Sequence, residues 1–581
     1  MWSLQKVLLF TVVTSNMIII SVHMVEFCQK DEPDCQGQDT SPSSHMINSR
    51  WNTSILNLKR NLDHFRVSCE KLKGAFPIDQ VRGNFIRSVT NCIFSEAFPT
   101  PLKGPLRLAA VSKDALEGLL DLDVAVIVSD EFRQYVSGGK LFPGSEPLAH
   151  RYGGHQFGYW AGQLGDGRAH LLGHYTNRKG ETWELQLKGS GKTPYSRSGD
   201  GRAVVRSSVR EFLCSEAMYF LGIPTSRAAS LVVSDEPVWR DQFYNGNVKT
   251  ERGAVVLRLA KSWFRIGSLE ILSQNGELDL LRKLLNFVIA EHFPSIHSNK
   301  SDKYLAFYTS VVNDTACLMA EWMSVGFAHG VCNTDNFSLL SVTIDYGPFG
   351  FMEAYDPDFV PNTSDDEGRY SIGAQAHAGL FNMEKLLDAL RPLLSAAQQE
   401  VAEMVLKTFL DIYQTRMQQL FKAKLGLLGE NTEDQRLVEH LLQLMEDTRA
   451  DFTMTFRQLS EASAHQLRRR NFTQAWALQD LASHGRFSDW LNVYLLRLGR
   501  ETHDEDEDRQ ARMKSVNPRY VLRNWMAESA IRKAERNDFS EVALLHDILR
   551  QPFLTQASAE QAGYADKPPW WAHQLKVSCS S

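Results

Sequence analysis

Alternation of apolar and polar positions is clearest between Ala169 and Lys188. Two runs, Ala169–Tyr175 and Thr182–Lys188, flank Asn177-Arg178-Lys179-Gly180, and this layout predicts a β-hairpin. In the second run Trp183, Leu185 and Leu187 alternate with Glu184, Gln186 and Lys188. A period of two therefore places Lys188 on the polar face, away from the core. The period then becomes helical. Val205, Val209, Phe212, Leu213 and Phe220 share a stripe, Glu211 lies off it, and Gly222 and Pro224 end it. Ala229–Val233 and Ala254–Leu259 read as strands, with Arg258 opposite Leu257 and Leu259. Helical spacing returns at Leu278–His292 and Tyr304–Phe327, and a short apolar strand is expected from Phe337 to Ile344. Met383–Leu427 and Arg436–Leu444 are strongly helical, as are shorter pieces beyond. Upstream, residues 55–135 read as mixed and mostly helical, with Ser112 as the N-cap of a helix reaching Leu120.

The 581 residues exceed one ordinary domain. The expected division is a targeting-like segment and linker over 1–45, a helical extension over 46–135 and a β-rich nucleotide-binding lobe over 136–275. A helical catalytic lobe with a metal site follows over 276–380, then a helical region with a tail over 381–581. Hydrophobic content of 43% and charged content of 23% are those of a globular protein. The net charge of −6 implies no general affinity for nucleic acid. The acidic run His503–Asp508 is expected to be a solvated loop. Eight cysteines without a CxxC pair argue against a zinc ribbon or a small disulfide scaffold. Lys6 followed by Val7–Val13 and Met17–Ile20 resembles a signal peptide or weak N-terminal membrane anchor, and no later segment is apolar for long enough to span a bilayer.

The segment His329-Gly330-Val331-Cys332-Asn333-Thr334-Asp335-Asn336, followed by Asp345-Tyr346-Gly347, carries the chemistry. An Asp-Asn pair alone can be an Asx turn, and Asp before Tyr-Gly can simply end a strand. Their succession after a helix suits phosphoryl or nucleotidyl transfer, which needs a carboxylate for a hydroxyl and oxygen ligands for Mg²⁺. Lys188 on a strand and Glu211 on the next helix fit the ion pair that fixes an ammonium against phosphates. The loop Gly165-Asp166-Gly167-Arg168 and the loop Gly199-Asp200-Gly201 flank the lysine strand, and their backbone amides can approach a nucleotide. Arg258 and Arg265 are either surface arginines or a clamp on phosphate oxygens. His329 reads as structural. Strands with glycine loops, a lysine strand, a glutamate helix, then a catalytic loop give the order of an α+β, protein-kinase-like two-lobed fold. On these motifs γ-phosphoryl transfer and transfer of the α-phosphoryl group are equally served, while the intact set of Lys188, Glu211, Asp335, Asn336 and Asp345 argues against the third reading, an inactive pseudokinase scaffold.

From about Leu106 to the C-terminus the chain resembles the selenoprotein O family, protein adenylyltransferases with a pseudokinase-like fold. The resemblance rests on Gly153–Gly158, Gly165–Arg168, Glu184–Gly191, Thr334–Asn336 and Thr343–Met352. It implies transfer of AMP from ATP to Ser, Thr or Tyr hydroxyls of proteins, the chain itself included, with release of pyrophosphate. It implies Asp335 as proton acceptor and Asn336 and Asp345 as ligands of Mg²⁺ or Mn²⁺. It further implies ATP contacts from Gly165, Gly167, Arg168, Lys188, Asp200, Gly201, Arg258, Arg265 and Asp345, with Glu211 paired to Lys188. The adjacent Asp335-Asn336 departs from the kinase loop, where several residues separate the two. Animal members carry selenocysteine third from the end. Cys579 stands there, as in a cysteine-containing paralogue, and a thiol at that place is a candidate redox group. The resemblance implies mitochondria. The N-terminus and six Asn-X-Ser/Thr sequons, among them Asn336 and Asn362, point to the secretory pathway instead.

Overall fold

A computed structural model describes residues 58–500 and 504–578. The N-terminal targeting-like segment, His503 and Cys579 lie outside the described residues. The architecture is α+β. The strands are β1 (Ile78–Asp79), β2 (Phe94–Glu96), β3 (Leu106–Val111), β4 (Leu148–His150), β5 (His155–Gln156), β6 (Tyr159–Trp160), β7 (Ala169–Thr176), β8 (Thr182–Lys188), β9 (Ala203–Val204), β10 (Arg227–Asp241), β11 (Val248–Ala260) and the separate antiparallel pair β12 (Phe327–Ala328) and β13 (Gly350–Phe351). One mixed sheet runs β1-β2-β4-β7-β8-β11-β10-β3, β9 pairs with β11, and β5–β6 stands apart as a short hairpin.

The β7–β8 hairpin forms where the alternation places it. Its turn is set by Asn177 Oδ1, which accepts from the amides of Lys179 and Glu181 at 3.0 Å each. The polar face of β8 is corrected: it does not face solvent. Glu184 and Gln186 are buried, because the apolar face packs on N-terminal elements such as Phe132 and Tyr135 while the polar face looks into the site. The expectation of a mostly helical stretch over 55–135 is corrected too. Ser112 does cap the helix Lys113–Leu119, accepting from the Ala115 amide at 3.2 Å. Leu106–Val111, however, pairs antiparallel with β10 and forms the sheet's far edge, so the sheet recruits residues well before 136.

Helix Val205–Phe220 lies on the sheet, with Val205, Val209, Phe212 and Leu213 in the main core. The rest is helical: Ile266–Gln274, Leu278–His292, Lys303–Ser324, Gln375–Leu390, Ala396–Lys407, Phe409–Lys424, Asp434–Thr448 and shorter helices beyond. The run expected to start at Met383 is three helices, the first ending before Pro392, whose ring and missing N–H stop propagation. Asp506–Asp508 are not a solvated loop. They form the first turn of helix Asp506–Val516, where carboxylates suit the helix dipole.

Phe337–Ile344 is not a strand. Ser338 Oγ accepts from the Leu340 amide at 3.1 Å and Ser341 takes φ 50°, so a turn replaces extension. Phe337 and Thr343 bridge back on each other while Phe337, Leu339 and Ile344 stay buried. The apolar pattern registers burial, and the serines decide the shape. Among the described residues no helix is long and apolar enough to cross a membrane.

Candidate active site

Five segments converge on one cluster of charge at the wall of a cavity. The end of β8 brings Lys188, β11 brings Arg258 and helix Val205–Phe220 brings Glu211. Arg265 is the residue before helix Ile266–Gln274, and the loop through Thr334–Asn336 to Asp345 brings two carboxylates. Lys188 Nζ lies 2.9 Å from Glu211 Oε2 and 3.3 Å from Asp345 Oδ1. Arg258 Nη1 lies 2.8 Å from Glu211 Oε1 and donates to Asp345 Oδ1 at 2.6 Å. Its Nε donates to Gln186 Oε1 at 3.1 Å, so the buried face of β8 orients it. Arg265 Nη1 donates to Asp345 Oδ2 at 2.7 Å and to the Asp335 main-chain carbonyl at 2.9 Å.

The two aspartates are driven apart electrostatically. Burial alone would raise the pKa of Asp345, but Arg258, Arg265 and Lys188 outweigh it and hold the carboxyl well below the usual range. Asp345 also takes φ 57°, a left-handed conformation that costs a residue with a Cβ about 1–2 kcal/mol; the three cations hold it there. Among the described residues no cationic side chain is in hydrogen-bonding contact with the Asp335 carboxylate. Burial pushes this carboxyl up to about 7. Gln156 Nε2 donates to Asp335 Oδ2 at 3.1 Å, and Oδ1 is buried with no hydrogen-bond partner among the described residues. Carboxyls with pKa values separated in this way mark a division between base and charge-holding roles.

The cavity has a volume of about 720 Å³, in the range of nucleotide-sized sites. Gly165, Gly167, Arg168, Lys188, Asp200 and Gly201 line it together with Asp335, Asn336 and Asp345. Burial lowers the pKa of both Lys188 and Arg168. Gly165 is required: it takes φ 89°, and a Cβ there would meet the Tyr195 ring at 2.5 Å. A larger cavity of about 890 Å³, lined by Trp183, Pro224, Lys261 and His292 among others, receives neither aspartate, so size alone does not select the site.

Most of the expected residues meet here, with two differences. Arg265 is fully buried behind Asp345 and does not line the cavity; it acts on the two aspartates rather than facing the space a nucleotide would fill. Asp200 lines the cavity, but its carboxylate is held by Arg240 at 2.6 and 2.7 Å. Four contributors escaped the sequence reading. Gln156 and Gln186 orient Asp335 and Arg258. Asp166, pushed up to about 6 by burial, accepts from Gln186 Nε2 at 3.1 Å. Gly154 lies so near that a Cβ on it would be 2.9 Å from both Cβ and Oδ1 of Asp335. The signals were present, in the Gly-Gly-His-Gln run and in the polar face of β8. His329 is structural: its Nε2 pairs with the Ile344 carbonyl at 2.9 Å and its ring stacks on Trp322.

Residues 94–550 match the family model described as protein adenylyltransferase SelO. The chain belongs to the SelO family. It is 44% identical over 512 residues to a protein nucleotidyltransferase YdiU from Azoarcus sp. (strain BH72), covering 87% of this chain and 97% of that one. A protein of the same name from Pseudomonas fluorescens is 44% identical, covering 84% and 96%, and one from Xanthomonas axonopodis pv. citri is 42% identical, covering 90% and 100%. The family match thus extends over all of the main β sheet but β1, the ion cluster and most of the helical region. This makes the chain a transferase of the nucleotidyltransferase class.

Among the described residues no group of three or more His, Cys, Asp or Glu side chains could enclose a metal by itself. Asp345, held ionised, and Asn336, whose Nδ2 donates to the Val331 carbonyl at 3.0 Å, instead offer two hard oxygen donors at the cavity wall. That sparse set fits Mg²⁺, which keeps waters and takes its remaining ligands from substrate phosphates.

Proposed function

We propose that this SelO-family chain transfers AMP from ATP to hydroxyls of protein Ser, Thr or Tyr residues. In the step, the acceptor oxygen bonds to the α-phosphorus, the bond from that phosphorus to the β-phosphate bridge breaks, and pyrophosphate leaves. Asp335 takes the hydroxyl proton. The separation of the two aspartates carries this reading. A carboxyl near neutrality can act as base at working pH, while one that is always ionised can only hold charge. Arg168, Lys188 and Arg258 supply positive charge for the phosphates. Asn336 and Asp345 would hold Mg²⁺ or Mn²⁺, which when bound neutralises phosphate oxygens. Glu211 and Gln186 keep Lys188 and Arg258 aimed.

We read the strand lysine, the helix glutamate and the carboxylate loop as a kinase-like, two-lobed arrangement. The test is to incubate the protein and casein with Mg²⁺ and ATP labelled at either the α- or the γ-phosphate. Label from the α position alone is expected on protein. Label from the γ position would replace adenylyl transfer with phosphoryl transfer.

For compartment, the family resemblance supports the mitochondrial reading, and two of the six sequons weaken the secretory alternative, while Asn299 and Asn471 are exposed. Asn362 is fully buried with Nδ2 donating to the Gly330 carbonyl at 3.2 Å, and Asn336 Nδ2 is likewise engaged, so neither amide is offered to a glycan in the fold. Fractionation of cells expressing the full chain, with a glycosidase mobility assay, tests it. A glycosidase-sensitive form would favour the secretory route.

A further inference from the structure

The C-terminal segment passes over the mouth of the catalytic cavity. Val577 and Ser578 line that cavity together with Asp335 and Lys188, although about 240 residues separate them from Asp335. The segment is fastened on two sides. The Val577 carbonyl accepts from the Thr363 amide at 2.8 Å and from Thr363 Oγ1 at 2.9 Å. Ser578 Oγ donates to the Gln242 carbonyl, just past the end of β10, and is buried. Thr363 is itself tied to the catalytic loop. Its neighbour Asn362 donates to the Gly330 carbonyl, five residues before Asp335. The end of β10 and its connection to β11 add an aromatic lip to the same cavity, with Trp239 and Tyr244 exposed at 67% and 65%.

These are the parts of a groove for an extended peptide. One wall offers main-chain and hydroxyl donors, the other a main-chain acceptor, and an aromatic edge stands beside them. Its present occupant is a segment of this chain bearing a serine. Resting on the proposed transfer to protein hydroxyls, we propose that Lys576–Ser578 holds the acceptor groove in cis, and that an extended, hydroxyl-bearing segment of a protein substrate must displace it. The alternative occupant, a permanent wall with no exchange, is an outcome of the test below.

A tethered segment competes at an effective concentration on the order of millimolar, so the groove is open only part of the time. The apparent affinity for an acceptor falls by the open fraction, while that for ATP does not. The experiment compares full-length protein with a chain ending at Leu575 and with Ser578→Ala, using casein and α-labelled ATP. Removal of the tail is expected to lower KM for casein by about tenfold, with Ser578→Ala intermediate and KM for ATP unchanged. A synthetic peptide of residues 570–581 is expected to inhibit the truncated chain competitively against casein and not against ATP. An unchanged KM for casein in both variants, or inhibition competitive with ATP, would overturn the proposal. If the truncated chain fails to fold, Ser578→Ala and the peptide decide alone. Absence of α-label on casein with the full-length protein would instead refute the transfer reading on which this one rests.

Discussion

Lys188 Nζ and Asp345 Oδ1 stand 3.3 Å apart across 157 residues of sequence. The contact joins the end of β8 to the loop that carries Asp335 and Asp345. Asp345 is the shared counter-charge of three buried cations, Lys188, Arg258 and Arg265. Asn in its place keeps the shape and removes the charge. Breaking such a buried pair costs about 3–5 kcal/mol, so Asp345→Asn is expected to melt several degrees below the parent and to lose α-label transfer by about a hundredfold or more. Pyrophosphate should restore more thermal stability to the variant than to the parent, because it returns negative charge to the cluster. Equal shifts in thermal melts would show that the cations find other partners.

Asp335 should govern the pH profile. With its carboxyl at about 7, the base form grows as pH rises, so kcat/KM is expected to climb through pH 7 and level off above it. Stability runs the other way. Because the folded state raises this pKa above the unfolded value, the folded protein holds the proton more tightly between about pH 4 and 7, and stability falls as pH rises through that window. Asp335→Asn should therefore abolish transfer yet raise the melting temperature at pH 8 and leave it unchanged at pH 4, in the absence of nucleotide. A variant no more stable at pH 8 would show that Asp335 is solvated.

Lys188→Ala removes one of several positive charges at the cavity. Arg258 keeps its own contact with Glu211 at 2.8 Å, so the helix glutamate is not orphaned. The expected loss is about 10²–10³ in kcat/KM, as for removal of one transition-state charge contact, with little change in melting temperature. Steady-state kinetics with α-labelled ATP measure it. A loss confined to KM would place Lys188 in ground-state binding only.

How much of this was legible follows from which patterns are local. The β7–β8 hairpin and helix Val205–Phe220 were readable because a turn and a stripe announce them within a few residues. The Asp335, Asn336, Asp345 and Lys188–Glu211 sets were readable because their residue types are costly to place together without a use. The strand reading of Phe337–Ile344 failed because apolar content there reports burial, while Ser338 and Ser341 impose a turn. Leu106–Val111 was missed because its partner is β10, more than a hundred residues away. Lys188 was assigned the correct face of β8 but the wrong surroundings: a period of two cannot distinguish water from a cavity full of ions.

Gly154 gives the most discriminating test, because the three atoms nearest to a Cβ placed there all belong to Asp335. A Cβ placed there would sit 2.9 Å from Oδ1 and Cβ of Asp335 and 3.1 Å from its amide nitrogen. Those distances are below ordinary contact, and Asp335 is held on its other side by Arg265 through the carbonyl. Gly154→Ala must therefore shift the Asp335 side chain or the main chain that bears it. Displacing a reacting group by about 1 Å can cost about a hundredfold, whereas strain from one added methyl in a packed site costs about 1–3 kcal/mol. The expected variant is folded, melts modestly lower and keeps its KM for ATP, with kcat down by about a hundredfold. Measuring kcat, KM and the melting curve on one preparation separates the outcomes. If kcat survives, Asp335 does not need the position seen here and its role as base fails; if KM for ATP rises as much as kcat falls, the nucleotide contacts this glycine loop directly.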